Sequence, residues 1–565
     1  MTNLKTKNNE VLEQQALASK SGGVLSKTIS GAFYLIALQI ISRLFTFVLN
    51  ILMVTSVDTN ILGVYSVQYQ LLSSTILFLS RESIRRSCSR IDISSSKSNF
   101  QSVVNTSWLI IPIGMILSIS IENFFLINTE DSIKGIENYY SGLRLFTYSS
   151  MIELASEPLY ILYQNLLLFK IRTFVEGFAL FIKTITTYYF VVIFNDGLKG
   201  FGYSQLFYSL SIFLGYFGYF IYKVLNTNDS NRKKDKEEEN EQFQFNSFKQ
   251  ILPNPSKSID KHLLKLTGLY TWQTIQKLLL TEGEKYILYF SETLVSQAIF
   301  SVVSNLGSLI VRFLFLPIEE SCFLMFPKLF PSISNSSNNN IIDKKEKEKE
   351  LESGSKILAV VIKFLMIIAL TFICFAPNYS ELLMNLLYSS KFQGTNAGVI
   401  LGVYCVYVGF LSVNGVTEAF VHSVSKENQL KTLNFILIII GFAYLFFSYV
   451  LCKIFNSVGI ILANILNMLL RILYSFYFMN QFFKELKDFS LKSMMPHKLV
   501  FIIYFTSSII TYLSSKYIYN ANSFKSSIIH IFVGLICFGT SLVILYLKEW
   551  NSIKEFKKVL ANKSS

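Results

Sequence analysis

The chain has 565 residues, of which 51% are hydrophobic and 16% are charged. Its 51 Phe and 31 Tyr residues exceed what the core of one soluble domain would bury, so the bilayer must solvate much of the chain. The net charge of +14 does not by itself indicate nucleic-acid binding, because the positions of the basic residues matter more than their total, and no nucleic-acid partner is expected. The six Cys residues have no CxxC spacing and give no sign of a disulfide framework or a metal site.

Apolar segments recur from position 30 almost to the end of the chain. About fourteen of them have the roughly 20 residues that a helix needs to cross a hydrocarbon core of about 30 Å. The sequence therefore predicts an all-α polytopic membrane protein. The predicted spans are 30–55, 61–80, 101–121, 143–169, 173–195, 201–222, 266–289, 295–327, 357–377, 397–421, 432–452, 457–480, 499–515 and 527–547.

Two charged, low-complexity segments interrupt this series of spans. Residues 223–262 separate a first group of six helices from a second, and residues 331–355 form a further polar loop. Both are predicted to be flexible cytosolic linkers. Six is an even number, so the two groups enter the membrane with the same orientation, which permits a repeat about an axis along the membrane normal. The predicted divisions are a tail (1–28), an N-lobe (29–222), the linker (223–262), a C-lobe (263–480), two C-terminal helices (481–547) and a basic tail (548–565).

The distribution of basic residues predicts the orientation in the membrane. Most of the 51 Lys and Arg residues fall in alternate loops on the side of the N-terminus, and few fall in the opposite loops. Because basic loops resist translocation, both termini are expected in the cytosol. The first apolar stretch lacks a small-residue cleavage site, so a retained helix is expected rather than a signal peptide.

Ionisable and amide side chains within the spans mark faces that avoid lipid, because a charge at the membrane centre costs about 2.5–3.5 kcal/mol. In three spans they fall at helical spacings and so share a face. A guanidinium keeps its charge when desolvated and binds phosphate oxygens through a planar fork, so arginines at mid-membrane depth from both lobes suit an anionic ligand. The candidate residues are Gln39, Arg43, Asn50, Asn305, Arg312, Asn464, Asn467 and Arg471.

Acidic side chains form a second set within the spans. Glu153 and Glu157 share a face of the span 143–169, and Glu418 lies in a later span. Pairing of such acids with the arginines would stabilise the helix bundle, and for any single residue this structural role and a ligand-binding role both stay open. Three lysines nearer the ends of spans can extend to the membrane surface: Lys183, Lys277 and Lys363.

Enzymatic motifs are weak in this sequence. The string GGVLSKT at 22–28 lacks the Gly that precedes Lys in a P-loop, and no strand precedes it. The four His residues have no metal-ligand spacing, and Ser-His-Asp and nucleophile-elbow patterns are absent. No catalytic residue, cofactor or metal is expected, and the chain is predicted not to be an enzyme. Among the sequons, Asn378 falls on the predicted lumenal side and is the candidate glycosylation site.

Several longer strings resemble one family. They follow in order from the first span to the twelfth, whereas the last two spans and both charged linkers carry little of the resemblance. The combination of NLGSL, RF and PIEES, preceded by TEGE, is highly specific. The chain resembles the RFT-one family in SRLFTFVLN at 42–50, LFLSRESIRRSCSR at 77–90, ELASEPLYIL at 153–162, LTEGEKYIL at 280–288, NLGSLIVRFLFLPIEES at 305–321, NGVTEAF at 414–420 and NILNMLLRILYS at 464–475.

The resemblance implies a location, a cargo and a fold. The RFT-one family is associated with the endoplasmic-reticulum membrane and with protein N-glycosylation, and its proposed role is to move the Man-five-GlcNAc-two pyrophosphoryl-dolichol intermediate from the cytosolic to the lumenal leaflet. It is similar in fold to the multidrug/oligosaccharidyl-lipid/polysaccharide exporter superfamily, in which two six-helix lobes face a central cavity. The implied partners are the dolichol-pyrophosphate-linked oligosaccharide and membrane lipids, with glycosylation enzymes as further candidates.

These implications assign roles to the candidate residues in a flippase hypothesis. Arg43, Arg312 and Arg471 would engage the pyrophosphate, and the neighbouring Asn and Gln side chains would bind sugar hydroxyls. Transport would run downhill or be coupled to an ion through Glu157 or Glu418. Two alternatives stay open: a non-transporting scaffold, in which the buried charges are structural pairs, and an ion-coupled exporter of small molecules, which favours an acidic binding face. Four arginines would recruit the anionic headgroup at the cytosolic surface, or else only anchor the orientation: Arg81, Arg85, Arg86 and Arg90.

Overall fold

The computed structural model describes residues 47–91, 97–166, 168–231, 247–254, 261–330, 344–486 and 489–564. Within these ranges the chain forms helices joined by turns and has no strand. In chain order the principal helices are α1 Phe47–Ser56, α2 Thr59–Cys88, α3 Asn99–Asn128, α4 Tyr139–Ala155, α5 Glu157–Asn165, α6 Lys170–Ile193, α7 Gly197–Asn231, α8 Lys261–Ser291, α9 Leu294–Pro327, α10 Lys344–Cys374, α11 Ala376–Tyr388, α12 Ala397–Val424, α13 Glu427–Phe455, α14 Ser457–Phe482, α15 Lys498–Tyr517 and α16 Phe524–Ser564.

Ten helices in the described ranges are long and apolar enough to cross a membrane. This confirms an all-α polytopic membrane protein, whereas the count of about fourteen spans is not confirmed. The predicted span 143–169 is divided, because α4 ends at Ala155 and α5 begins at Glu157. Pro158 accounts for the break, since it lacks the N–H group that would continue the helical hydrogen bonds. α5, with nine residues, is therefore too short to cross the membrane alone.

Among the described residues, the N-lobe (α1–α7) and the C-lobe (α8–α14) meet along a seam between α2 on one side and α8 and the start of α9 on the other. The hydroxyl groups of Thr75 and Tyr286 are 2.7 Å apart across this seam. Nearer the start of α2, Gly63 lies against the backbone of Leu294, where a Cβ atom would not fit. In lipid the hydrophobic effect does not drive helices together, so close packing at small residues and hydrogen bonds between hydroxyl groups stabilise their association. Within the described ranges, the seam is the most extended contact between the lobes.

The charged segments are more helical than the sequence predicted. α10 begins at Lys344, inside the predicted flexible loop 331–355, and an ion pair of 2.7 Å joins Glu352 to Lys356 one turn later. Lys and Glu are strong helix formers, and such pairs at i,i+4 add stability that the flexible-loop interpretation left out. α7 likewise ends inside the first predicted linker, and α16 continues through the predicted tail to Ser564.

Three π-helical turns interrupt the long helices in the described part of the chain. They lie at Val64–Tyr69 in α2, Tyr188–Ile193 in α6 and Val311–Phe315 in α9. A π-turn holds one extra residue, so it changes the direction in which the neighbouring side chains point. In α9 the turn directly precedes Pro317, whose missing N–H group also disturbs the helical hydrogen bonds.

Candidate functional site

A cavity of ≈ 570 Å³ lies between the lobes. α1, α2 and α6 of the N-lobe and α9 of the C-lobe form its wall, and Tyr388 at the end of α11 completes the lining. Each of the three π-turns supplies a lining residue, namely Tyr65, Tyr188 and Arg312. Because π-turns are frequent at functional sites, their coincidence with one cavity marks it as the candidate site.

The cavity carries positive charge from both lobes. Arg312 of α9 and Lys183 of α6 line it, and none of the described lining residues is Asp or Glu. The Arg312 side chain is exposed and makes no ion pair with the residues that the structure describes. The Lys183 ammonium lies 5.4 Å from the ring centroid of Tyr208. Since neither cation is neutralised by a lining carboxylate, the cavity attracts anions.

Amide groups and aromatic rings surround these cations. Asn50 of α1 and Asn305 of α9 line the cavity from opposite lobes. A side-chain amide offers N–H donors and an acceptor oxygen, so it matches the hydroxyl groups of a ligand. Tyr65 is held in place by stacking on Phe201, with 3.8 Å between the ring centroids. The lining therefore combines sites for an anion with sites for a polyhydroxylated group between apolar walls.

Lys183 is the cavity residue that sequence reasoning missed. The sequence interpretation placed it near the end of its span, with its ammonium reaching the membrane surface. The structure instead places it close to the middle of α6, in the wall of the cavity. A signal was present, because Lys183 and Thr187 are four residues apart and so share a face, and both line the cavity.

The structure brings together three of the predicted ligand-binding residues. Asn50, Asn305 and Arg312 all line the cavity. Gln39 and Arg43 lie outside the described residues. The cavity thus joins the one described candidate of the N-lobe to two candidates of α9.

The predicted binding residues of α14 do not line this cavity. Arg471 donates to the carboxylate of Glu418 at 2.5 Å, and the Asn464 amide donates to Glu284 at 3.0 Å. Asn467 is half-buried on the same helix. Partners within the C-lobe thus engage Arg471 and Asn464, which is the structural alternative that the sequence left open. A ligand-binding role for these three residues stays a prediction.

Arginines of α2 neutralise the acidic face of the N-lobe. Arg81 lies 2.6 Å from Glu153 and 3.0 Å from Glu157, and Arg85 lies 2.6 Å from Glu157. The Glu157 side chain is 1% exposed, so its charge needs these guanidinium partners. Arg81 and Arg85 are therefore drawn into the lobe rather than extended to the membrane surface. Their part in headgroup recruitment stays a prediction.

The two other arginines of the predicted recruitment group lie at the end of α2. Arg86 pairs with Glu82 at 2.9 Å, and Arg90 is exposed, with its guanidinium 5.4 Å from the ring centroid of Tyr270. Both positions suit an anionic headgroup and equally suit a basic anchor on that side of the membrane.

Asn378, the candidate glycosylation site, lies in α11 and packs against α15. Its amide nitrogen donates to the carbonyl oxygens of Cys374 (3.1 Å) and Ser508 (3.2 Å) and to the hydroxyl of Thr511 (2.8 Å). Ser380, the hydroxyl residue of the sequon, is 4% exposed. A glycan requires these contacts to break, so the packing disfavours modification of the folded protein.

Two solved structures share this fold. A lipid II flippase MurJ in an inward closed conformation matches with a TM-score of 0.53 at 14% identity, over 90% of this chain and 98% of its own. An inward-facing multidrug resistance MATE family transporter of the MOP superfamily matches with a TM-score of 0.51 at 12% identity, over 78% of this chain and 96% of its own. At these identities the likeness establishes the fold alone, which is the helical architecture of multi-pass membrane transporters.

Sequence comparison then defines the family. The family model described as Rft protein matches residues 27–559. The Man(5)GlcNAc(2)-PP-dolichol translocation protein RFT1 of Dictyostelium discoideum is 55% identical over 556 residues, which cover 96% of this chain and 98% of that protein. The protein of the same name from Xenopus tropicalis is 30% identical over 533 residues, which cover 93% and 95%. The chain therefore belongs to the Rft protein family, which confirms the resemblance of its sequence strings.

Proposed function

We propose that the protein is an intramembrane glycolipid transporter, a flippase that moves the dolichol-pyrophosphate-linked oligosaccharide from the cytosolic to the lumenal leaflet of the endoplasmic-reticulum membrane for protein N-glycosylation. Relatives that match more than nine-tenths of this chain carry the name Man(5)GlcNAc(2)-PP-dolichol translocation protein. In the proposed orientation, the side of the bundle that holds both termini and most basic loops is cytosolic. The function needs no covalent chemistry and no enzyme activity.

The cationic cavity between the lobes is the observation that carries this proposal. A pyrophosphate that crossed hydrocarbon without partners would lose interactions worth on the order of several kcal/mol each. Arg312 and Lys183 approach the cavity from opposite lobes, and none of the described lining residues adds negative charge. The planar guanidinium grips two phosphate oxygens, and the ammonium adds a compact charge. Together they offset the charge of a pyrophosphate during its transfer.

The sugars and the dolichol chain of the cargo are expected to occupy different environments. Asn50 and Asn305 are placed to bind sugar hydroxyls, and the predicted residues Gln39 and Arg43 would join them from the preceding part of the first span. The dolichol chain stays in lipid, because a polar cavity offers it no gain. The glycan named for the relatives has seven sugars, and we expect the lobes to separate as it passes.

A non-transporting scaffold for assembly of the same glycolipid is the second candidate. The ion pairs of both lobes favour it, because Arg81 and Arg471 are neutralised by carboxylates without any ligand. The scaffold gives no role to Arg312 and Lys183, neither of which forms an ion pair with a residue that the structure describes. An ion-coupled exporter of small molecules is less favoured still, because it calls for an acidic binding face that the described cavity lining lacks.

Leaflet exchange of a labelled dolichol-pyrophosphate oligosaccharide in liposomes tests the proposal. We expect the reconstituted protein to accelerate exchange over protein-free liposomes. A variant with both Lys183→Gln and Arg312→Gln is expected to lose about tenfold or more of that rate, because charge-assisted hydrogen bonds to the pyrophosphate disappear. Arg144→Gln is the matched control, since Arg144 is 64% exposed and does not line the cavity.

The outcomes separate the two candidates. Exchange no faster than in protein-free liposomes, with folded protein verified by size-exclusion chromatography, would reject transport in favour of the scaffold. Exchange supported equally by the double variant and by the Arg144→Gln control would keep transport but would remove the anion site from this cavity.

A further inference from the structure

A short turn after α11 reaches from the C-lobe to the end of α1. This turn, Ser389–Phe392, carries Lys391, whose ammonium donates to the main-chain oxygens of Val54 and Val57. The last carbonyl groups of a helix have no partner within it and carry partial negative charge, so a cation is favourable there. The carboxylate of Asp58 adds electrostatic attraction. Lys391 therefore caps a helix of one lobe from the other lobe.

The residues beside Lys391 are buried in a core that both lobes share. Tyr388 and Phe392 are 2% and 4% exposed, and they belong to one apolar cluster with Met53 and Val57 of the N-lobe. Tyr388 and Met53 also line the cavity. The Lys391 contact thus lies next to the cavity, on the side of the bundle that holds the connection from α1 to α2. We call this side the α1–α2 face.

The backbone around the turn adopts conformations that few residues favour. Ser389 has a φ of 54°, and Gly394 has a φ of 76°. For a residue with a side chain, a positive φ is sparsely populated and persists where the surrounding packing holds it, and such residues cluster at switch regions. Positive φ angles therefore occur at the first residue of the turn, Ser389, and two residues after its end, at Gly394. At both positions the main chain can change direction once the surrounding packing is released.

We propose that Lys391 is a latch that closes the cavity at the α1–α2 face. Opening this face requires the ammonium to leave both carbonyl groups, and it requires Tyr388 and Phe392 to leave the shared core. The hydrogen bond between Thr75 and Tyr286 lies farther along α2, so the lobes can stay joined there while this face opens. The latch rests on the proposed function in one respect: in that orientation the α1–α2 face is lumenal, so the latch controls the release of the cargo.

The distance between the lobes at this face tests the latch without cargo or transport. Spin labels on Asp131→Cys of the N-lobe and Lys453→Cys of the C-lobe, both exposed positions at the α1–α2 face, report the opening of the full-length protein in lipid nanodiscs by double electron–electron resonance. The half-buried Cys374 is replaced by serine, because the other five cysteines are buried. We expect Lys391→Met, which keeps the aliphatic stem, to raise the ratio of long to short distances by about tenfold.

Three further variants define what the result means. Lys516→Met is the matched control, because it removes the same charge at the same face, where the ammonium lies 5.7 Å from the ring centroid of Tyr517. It is expected to leave the distances unchanged, as is Lys391→Arg, which keeps the charge and the donors. If Lys391→Met fails to fold, Lys391→Gln takes its place.

Distances that match the wild type in the Lys391 variant would overturn the latch. Equal opening in the Lys516→Met control would also overturn it, because the effect would then come from net charge alone. Since the measurement involves no glycolipid, failure of the leaflet-exchange experiment would not change this result, and failure of the latch would leave the transport proposal standing.

Discussion

The two lobes treat buried charge differently. In the N-lobe, Arg81 and Arg85 of α2 face Glu153 and Glu157, and the guanidinium and carboxylate groups meet at 2.6–3.0 Å. Positive and negative charges balance within this cluster. Removing one member leaves an uncompensated charge away from water, which makes such clusters costly to break. The N-lobe cluster is a closed structural unit with little capacity left for a ligand.

In the C-lobe, one buried carboxylate has only neutral hydrogen-bond partners among the described residues. Arg471 pairs with Glu418, but among the described residues Glu284 is held by neutral groups, which are the amide of Asn464 at 3.0 Å and the hydroxyl of Tyr444 at 3.3 Å. Buried carboxylates of the two lobes therefore differ in their partners, since Glu157 meets arginines and Glu284 meets neutral groups. A charged residue in a membrane helix cannot be assigned to binding by its type, because its partner decides its role.

Glu157→Gln is the change from which the largest effect is expected. It leaves Arg81 and Arg85 to share the remaining carboxylate of Glu153, and an uncompensated buried charge costs about 3–5 kcal/mol. We expect a loss of that order in the free energy of unfolding, measured by chemical denaturation in detergent micelles. Glu130→Gln, in an exposed turn, is the control. A loss below about 1 kcal/mol would mean that the cluster behaves like a surface pair and would remove the contrast between the lobes.

Arg471→Gln is expected to destabilise the protein less, by about 1–3 kcal/mol, because its pair with Glu418 is less deeply buried than the N-lobe cluster. The side chains of Arg471 and Glu418 are 27% and 19% exposed. Glu418→Gln in the same chain should recover part of the loss, since it removes the orphaned carboxylate. If the double variant loses as much stability as the two single variants added together, the pair has no coupling energy and the structural role of Arg471 is wrong.

Glu284→Gln is expected to have the smallest effect, within about 1 kcal/mol of the wild type. A glutamine oxygen can still accept the hydrogen bonds of Asn464 and Tyr444, and no described cation loses a partner. The same denaturation measurement checks this. A loss as large as that of Glu157→Gln would reveal a cationic partner for Glu284 and would make the two lobes alike.

The membrane fold was predictable from the sequence, but its interruptions were not. Apolar length suffices for an all-α membrane protein, because the bilayer requires every backbone group to be bonded within the segment and so admits helices. The break between α4 and α5 comes from Pro158, which a count of apolar residues does not register, and the π-turn around Arg312 depends on how individual backbone bonds are satisfied or replaced. That information is not contained in the apolar periodicity of one span.

Only part of the candidate site was predictable, because the spacing along one helix does not show how distant helices pack. Spacing along one helix predicts which residues share a face, and it placed Asn305 and Arg312 together correctly. It does not predict which face meets the cavity, because that depends on the rotation and depth of helices that are distant in sequence. Lys183 was therefore overlooked, and the partner of Arg471 on another helix was not identified.

The π-turn of α9 allows Arg312 to move by a local change of the helix as well as together with its lobe. In a helix of about 3.6 residues per turn, each residue accounts for about 100° of rotation about the axis. A π-turn contains one residue more than a regular turn. If the π-turn shifts along the helix, each side chain that it passes rotates about the helix axis by about this angle. Arg312 lies within the turn. A local change of helical pitch would therefore turn its guanidinium away from the cavity wall, and an anion would lose this partner without a movement of either lobe.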